Sequence, residues 1–227
     1  MSCSQVSLPN LEVLKVYGLK NLERLGHGPL SMGSLSKLRK FTMSACNNLL
    51  CVFPSELLSI LLDLETLEVE DCKLLEVVFE LEAGVHSNEP NPEILSPLKV
   101  VKLYDLPKLS YISKRDPTGF QYIQTLEIYR CHSLRYVFAP TVTKSIPQLR
   151  TLEILFCRML SRIVAEENGL GESSVDEVEF PRLEKLVLCG LPNLVNFFPN
   201  VNTTRPKSTE HLHTPMQSQP LFNEKVN

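Results

Sequence analysis

Tryptophan is absent from these 227 residues and aromatics make up only 7% of them, so any core must be built largely from leucine and valine. No window approaches the roughly 18 consecutive apolar residues of a membrane helix. No basic stretch followed by an apolar run marks a secretory signal at the N-terminus. A net charge of −3 without Lys/Arg runs provides no field to gather phosphates, which argues against nucleic acid as a direct partner. The motifs G-x-x-x-x-G-K-[ST], G-x-G-x-x-G, G-x-S-x-G and H-E-x-x-H are all missing. No catalytic or cofactor-binding residue is therefore expected, and an enzyme is not the reading. With 43% hydrophobic and 22% charged residues, the chain has the make-up of a soluble globular protein. Its seven cysteines, without a secretion signal, read as reduced thiols of an intracellular, cytoplasmic protein.

What is present is a repeated phrase. In LETLEVEDCKLLEVVF, Leu64, Leu67, Val69, Cys72, Leu75 and Val78 fall at spacings of 3, 2, 3, 3 and 3. This is neither helical periodicity nor plain alternation. The same six slots recur in seven units, beginning at Leu11, Leu38, Leu64, Leu98, Ile123, Leu149 and Leu183, and every slot is apolar or Cys. Successive starts lie 27, 26, 34, 25, 26 and 34 residues apart, near the period of about 20 to 29 of a leucine-rich repeat. Units two to four also recur as units five to seven at an offset of 85 residues, which suggests duplication of a three-repeat block.

One unit cannot bury six anchors by itself, whereas coils stacked in parallel bury them between one another. The expected fold is thus an α/β solenoid: a right-handed leucine-rich-repeat horseshoe. A parallel β-sheet lines its concave face, and the convex side is mostly irregular with short helical turns. Leu64, Leu67 and Val69 point inward, and Glu65, Thr66, Glu68 and Glu70 point outward. The array is expected over residues 6–198, with insertions near 80–96 and 165–180 and a disordered tail or truncated inter-repeat loop at 199–227. Residues 80–93 and 166–179 hold ten acids and no Lys or Arg, against 23 basic and 16 acidic residues elsewhere. They read as solvated loops, or as docking elements for a basic partner. Neither end shows a polar capping sequence, so the polypeptide reads as a piece of a larger protein.

Cys46, Cys72, Cys131 and Cys157 share one slot, facing the core at the turn out of the strand. Leu106 occupies that slot between the two pairs, so four ligands cannot converge, and no metal site is expected. The strand-face carboxylates Glu68, Glu127 and Glu153 lack the burial that acid/base chemistry needs. What remains is a surface. Read in stacking order, the outward positions form one column of Lys15, Thr42, Glu68, Lys102, Glu127, Glu153 and Val187. A second holds Tyr17, Ser44, Glu70, Tyr104, Tyr129, Leu155 and Cys189. Tyr104, Tyr129, Leu155 and Phe156 then cluster toward the C-terminal half, flanked by Lys102, Arg130 and Arg150. Tyr and Arg are the types that anchor protein interfaces, so these seven residues form the candidate binding surface. Contact with another domain of a parent protein would explain them equally well.

The phrases LPNLEVLKVYGLKNLERL, IQTLEIYRCHSLRYVF, LRTLEILFCRMLSRIV and FPRLEKLVLCGLPNLVNFF resemble the C-terminal leucine-rich repeats of plant disease resistance proteins of the coiled-coil, nucleotide-binding class. The resemblance covers residues 6–198. It implies the repeat region of an intracellular immune receptor that senses pathogen effectors, or a guarded host protein, and restrains a nucleotide-binding switch. The coiled coil and the P-loop domain are not in this sequence, so nucleotide binding attaches to no residue here. The alternative is the substrate-recognition repeat region of a plant F-box ubiquitin-ligase adaptor. Such repeats continue into an I-T-D-x-G helix start, which none of the seven units has.

Overall fold

The computed structural model describes residues 7–26, 34–58, 60–80, 97–113, 118–139, 146–165 and 179–196. The 199–227 tail and most of both insertions lie outside them, as does Phe197, the last anchor of the seventh unit. Each unit contributes one five-residue strand. These are β1 (Val13–Tyr17), β2 (Lys40–Ser44), β4 (Thr66–Glu70), β6 (Val100–Tyr104), β8 (Thr125–Tyr129), β9 (Thr151–Leu155) and β10 (Lys185–Cys189). They pair in parallel in the order β1-β2-β4-β6-β8-β9-β10, the succession of the repeats themselves. The register runs Leu14, Phe41, Leu67, Val101, Leu126, Leu152 and Leu186 across all seven strands. The chain is a leucine-rich-repeat solenoid.

Burial follows from the number of neighbours a coil has. All six anchors of units two to six are at most 2% exposed, because each is covered on both sides. In units one and seven, Leu14, Val16, Leu186 and Leu188 are only partly buried against the cluster, and Leu19 is 51% exposed. At about 25 cal/mol per Å² of apolar area, each inner coil is held chiefly by what its neighbours cover.

Tight turns bracket the strand. Before it, in coils one, two, five, six and seven, the first anchor's N–H reaches back three residues, as Leu38 does to the Leu35 carbonyl at 3.0 Å and Ile123 to Phe120 at 3.1 Å. After it comes a left-handed residue: Gly18, Ala45, Asp71, Asp105, Arg130, Phe156 and Gly190 all have φ between 48° and 66°. Five of the seven are not glycine, at a cost of about 1–2 kcal/mol each. Backbone pairing offsets that cost. The N–H of each left-handed residue but Gly190 donates to the carbonyl that ends the next strand, as in Ala45 to Glu70 at 3.1 Å and Asp105 to Tyr129 at 2.9 Å. A second reverse turn follows, in which Leu75 N–H donates to Cys72 O and Leu134 N–H to Cys131 O. The irregular spacing of the six anchors is thus a strand followed by two changes of direction.

The far side carries short helical turns, α1 (Ser55–Leu58) and a 3-10 turn (Thr118–Tyr122). It also carries a second parallel sheet, β3 (Cys51–Pro54), β5 (Val77–Glu80) and β7 (Tyr111–Ser113). Val77, Val78 and Phe79 are all buried, so this strand lacks the alternation that advertises a half-buried one. Behind it runs an aromatic file, with Phe41–Phe53 centroids 5.2 Å apart, Phe53–Phe79 5.7 Å and Phe79–Phe120 5.8 Å. Phe120 supplies the ring that coil four lacks, where Ser113 stands opposite Phe79. No helix among the described residues is long and apolar enough to cross a membrane.

Candidate protein-binding surface

The strand pairing lays out the outward columns as the repeat spacing predicts. Glu68, Lys102, Glu127 and Glu153 are in register, and so are Glu70, Tyr104, Tyr129 and Leu155. On this face the polar side chains pair diagonally. The Tyr104 hydroxyl donates to Glu127 Oε2 on the next strand, and Tyr129 donates to Glu153 Oε2 at 3.2 Å. The two rings meet edge to face at 5.2 Å and 85°, a preferred aromatic geometry. Lys102 Nζ lies 3.1 Å from Glu127, and Lys185 Nζ lies 2.7 Å from Glu153. Each carboxylate is therefore held between a lysine and a phenol.

The protonation states follow this arrangement. Partial burial, with the Glu127 carboxylate second, pushes the Tyr104 phenol up, and desolvation with Glu153 does the same for Tyr129. The Lys185 ammonium, with Tyr129 adding its hydrogen bond, holds Glu153 below the usual carboxylate range. At neutral pH the Tyr104 and Tyr129 phenols therefore stay neutral, and Glu153 and Lys185 stay charged. The face is a pattern of charges and rings held by their neighbours.

Of the seven candidate residues, Lys102, Tyr104, Tyr129 and Leu155 share the strand face. Arg130 and Phe156 lie one residue past β8 and β9, at left-handed positions on the rim where the strands end. Arg130 grips Asp105 with two nitrogens, at 2.5 and 2.7 Å, which draws the Asp105 carboxyl down. Phe156 is 49% exposed beside Gly190. Arg150 does not flank the cluster: it precedes β9, about 16 Å along the strand from Leu155 at about 3.3 Å per residue. There it pairs with Glu184 at 2.8 Å, in a row that also holds the Arg39–Glu65–Lys99 bridges. Columns read from register place residues across strands, but Arg150 and Leu155 differ along the strand.

At the rim, sequence reading missed an open groove of about 660 Å³ whose lining includes Arg130, His132, Phe156, Arg158 and Pro192. Its signal was the position two residues past each left-handed turn, held by His132, Arg158 and Pro192 in the last three coils. The described cysteines are all free thiols, and the Sγ atoms of Cys46, Cys72, Cys131 and Cys157 point to the carbonyl two residues earlier at 3.4–3.6 Å. Burial raises the Cys72 thiol to about 11. No group of three metal-ligating side chains occurs among the described residues.

The family described as plant disease resistance protein RPS2-like, leucine-rich repeats, matches residues 10–158. A probable disease resistance protein of Arabidopsis thaliana is 32% identical over 157 residues, 67% of this chain. The chain spans only 17% of that relative's length. The solved leucine-rich repeat domain of the type III effector XopL overlaps 84% of this chain and 64% of its own, at 17% identity and a TM-score of 0.46. With a family match over most of the repeat array and a relative at this identity, the chain belongs to the RPS2-like leucine-rich-repeat family of plant disease resistance proteins.

Proposed function

We propose that this array is the protein-recognition region of a plant intracellular immune receptor. It senses a pathogen effector or a guarded host protein, and contributes to autoinhibition by contacting other domains of its parent. The observation that carries the reading is the locked Tyr104–Tyr129 pair on an open sheet face, next to the exposed ring of Phe156. Rings already held by neighbours lose little side-chain freedom on binding, which is what an anchor needs. The binding face comprises Lys102, Tyr104, Tyr129, Leu155 and the rim residues Arg130 and Phe156. Arg150 belongs to the strand-start row and is left out.

The test is capture from plant extract by the chain and by a variant with Tyr104, Tyr129 and Phe156 changed to Ala, followed by reconstitution with the purified captured protein. The expected result is a partner retained by the unmodified chain and by Arg150→Ala, and lost from the triple variant. Recovery of the same partners by all three removes this face from the interaction.

A further inference from the structure

The charge on the rim is unevenly placed. Residues 130–139, 156–165 and 190–196, the segments after the last three sheet strands, contain Arg130, His132, Arg135, Arg158 and Arg162 and no Asp or Glu. The equivalent stretch of the third coil, 71–80, carries Asp71, Glu76 and Glu80 against Lys73 alone. Backbone bonds fix the basic residues in adjacent coils. Met159 N–H donates to His132 O at 3.2 Å, and Ser161 N–H to Arg135 O at 3.0 Å. Neighbouring coils are about 5 Å apart at such bonds. Arg135 and Arg158 are exposed and have no ion-pair partner among the described residues, and His132 Nδ1 is buried without a hydrogen bond. Of the two arginines lining the groove, Arg130 is paired with Asp105, which leaves Arg158 as the one with no counter-ion among the described residues.

We infer that the groove between the left-handed turns of coils five to seven docks an acidic peptide segment. One Asp or Glu side chain pairs with Arg158 in the groove and another with Arg135, which lies outside the groove lining further along coil five, while an apolar side chain sits against Phe156 and Pro192. Guanidinium groups take carboxylates bidentately, which suits an acidic side chain better than a simple anion. The exposed Phe156 ring and Pro192 give the groove an apolar floor that a partner lacking hydrophobic side chains leaves unused. A nucleic acid fits poorly, since five basic residues over three coils of a chain with net charge −3 neutralise too few phosphates. This inference rests on the recognition role proposed above and names the chemistry of one partner segment.

The experiment is fluorescence anisotropy with the full chain and a labelled 12-residue peptide rich in Glu and Asp around a central Phe. Saturable binding is expected with the unmodified protein and with Arg39→Glu at the opposite end of the strands. Binding falls tenfold or more with Arg135→Glu/Arg158→Glu, and equally when the peptide acids become Gln and Asn. Circular dichroism checks the fold, and Arg158→Gln gives a milder second reading. Unchanged affinity in the double variant overturns the inference, as does equal binding of an oligouridylate of matching charge. Dimerisation of the chain without peptide binding overturns it as well, by making a second copy the occupant. If peptide binding proves indifferent to both arginines while the purified partner still binds through Tyr104 and Tyr129, only the acidic-ligand assignment is lost and recognition stands.

Discussion

Gly190 lies so near the Phe156 ring that a β-carbon placed on it would fall 2.5 Å from Phe156 Cδ1. Both residues hold left-handed backbone, with φ of 64° and 58°. Gly18 has the same φ sign at the other end of the array and nothing within 4 Å of its virtual β-carbon. Gly190→Ala is therefore expected to lower stability by about 2–3 kcal/mol and Gly18→Ala by about 1, the difference being the displaced ring. Urea denaturation of the two variants measures this. Equal losses would mean that Phe156 swings aside freely.

Position in the stack sets the cost of truncation. Leu126→Ala, in an inner coil and 1% exposed, is expected to cost about 2–5 kcal/mol. Leu186→Ala occupies the same slot in the last coil, only partly buried, and should cost about half as much or less. Chemical denaturation curves for both give the comparison.

Thiol reactivity separates Cys189 from the other described cysteines. Cys46, Cys72, Cys131 and Cys157 are buried, Cys51 is pushed up to about 12 by burial, and Cys189 is exposed. In a Cys3→Ser background at pH 8, a disulfide reagent should titrate Cys189 rapidly and the remaining thiols only on unfolding. Fast modification of Cys72 or Cys131 would instead point to a reactive site in the core.

Stability should be flat near neutrality and fall on both sides. Glu65, Asp105 and Glu153 are held low by Arg39, Arg130 and Lys185 respectively, so what they contribute is present above their unfolded values of 4.5, 3.8 and 4.5 and is lost as pH falls below them. Tyr104 and Tyr129 are raised from 10.0, so their contribution is present below pH 10 and is lost as pH rises beyond it. These carboxylates are solvent-accessible, so the acid limb should be shallow and flatten with salt. Urea midpoints from pH 3 to pH 11 trace both limbs, and Tyr129→Phe should weaken the alkaline one.

The seven sheet strands and their register were legible because each unit alternates twice and then breaks step, a pattern only a stacked coil satisfies. Leu14 and Leu186 show the same pattern as Leu67 yet are half-buried, since a local phrase cannot tell how many neighbours a coil has. The far-side sheet was not legible: Val77, Val78 and Phe79 are covered on both faces and leave no polar alternation. The left-handed turns were hidden because Ala45, Asp71, Asp105, Arg130 and Phe156 are not glycines. On the candidate surface, the Tyr104–Tyr129 column was readable from register. The separation of Arg150, the diagonal phenol–carboxylate bonds and the groove at Arg158 depend on side-chain directions that spacing does not encode.

The carbonyl ending each inner strand accepts the amide of the preceding coil's left-handed residue, as Glu70 O does from Ala45 N–H, and the Cys72 thiol merely adds a second, weaker donor at 3.4 Å. Where Leu106 replaces cysteine, the Tyr104 carbonyl still receives Asp71 N–H at 3.1 Å. At this turn the joint between coils is thus made of main chain, and it needs of the side chains only that the buried anchors be kept. A coil can be spliced in or removed without rewriting its neighbours, a tolerance that would let such a scaffold change length while its exposed residues diversify independently.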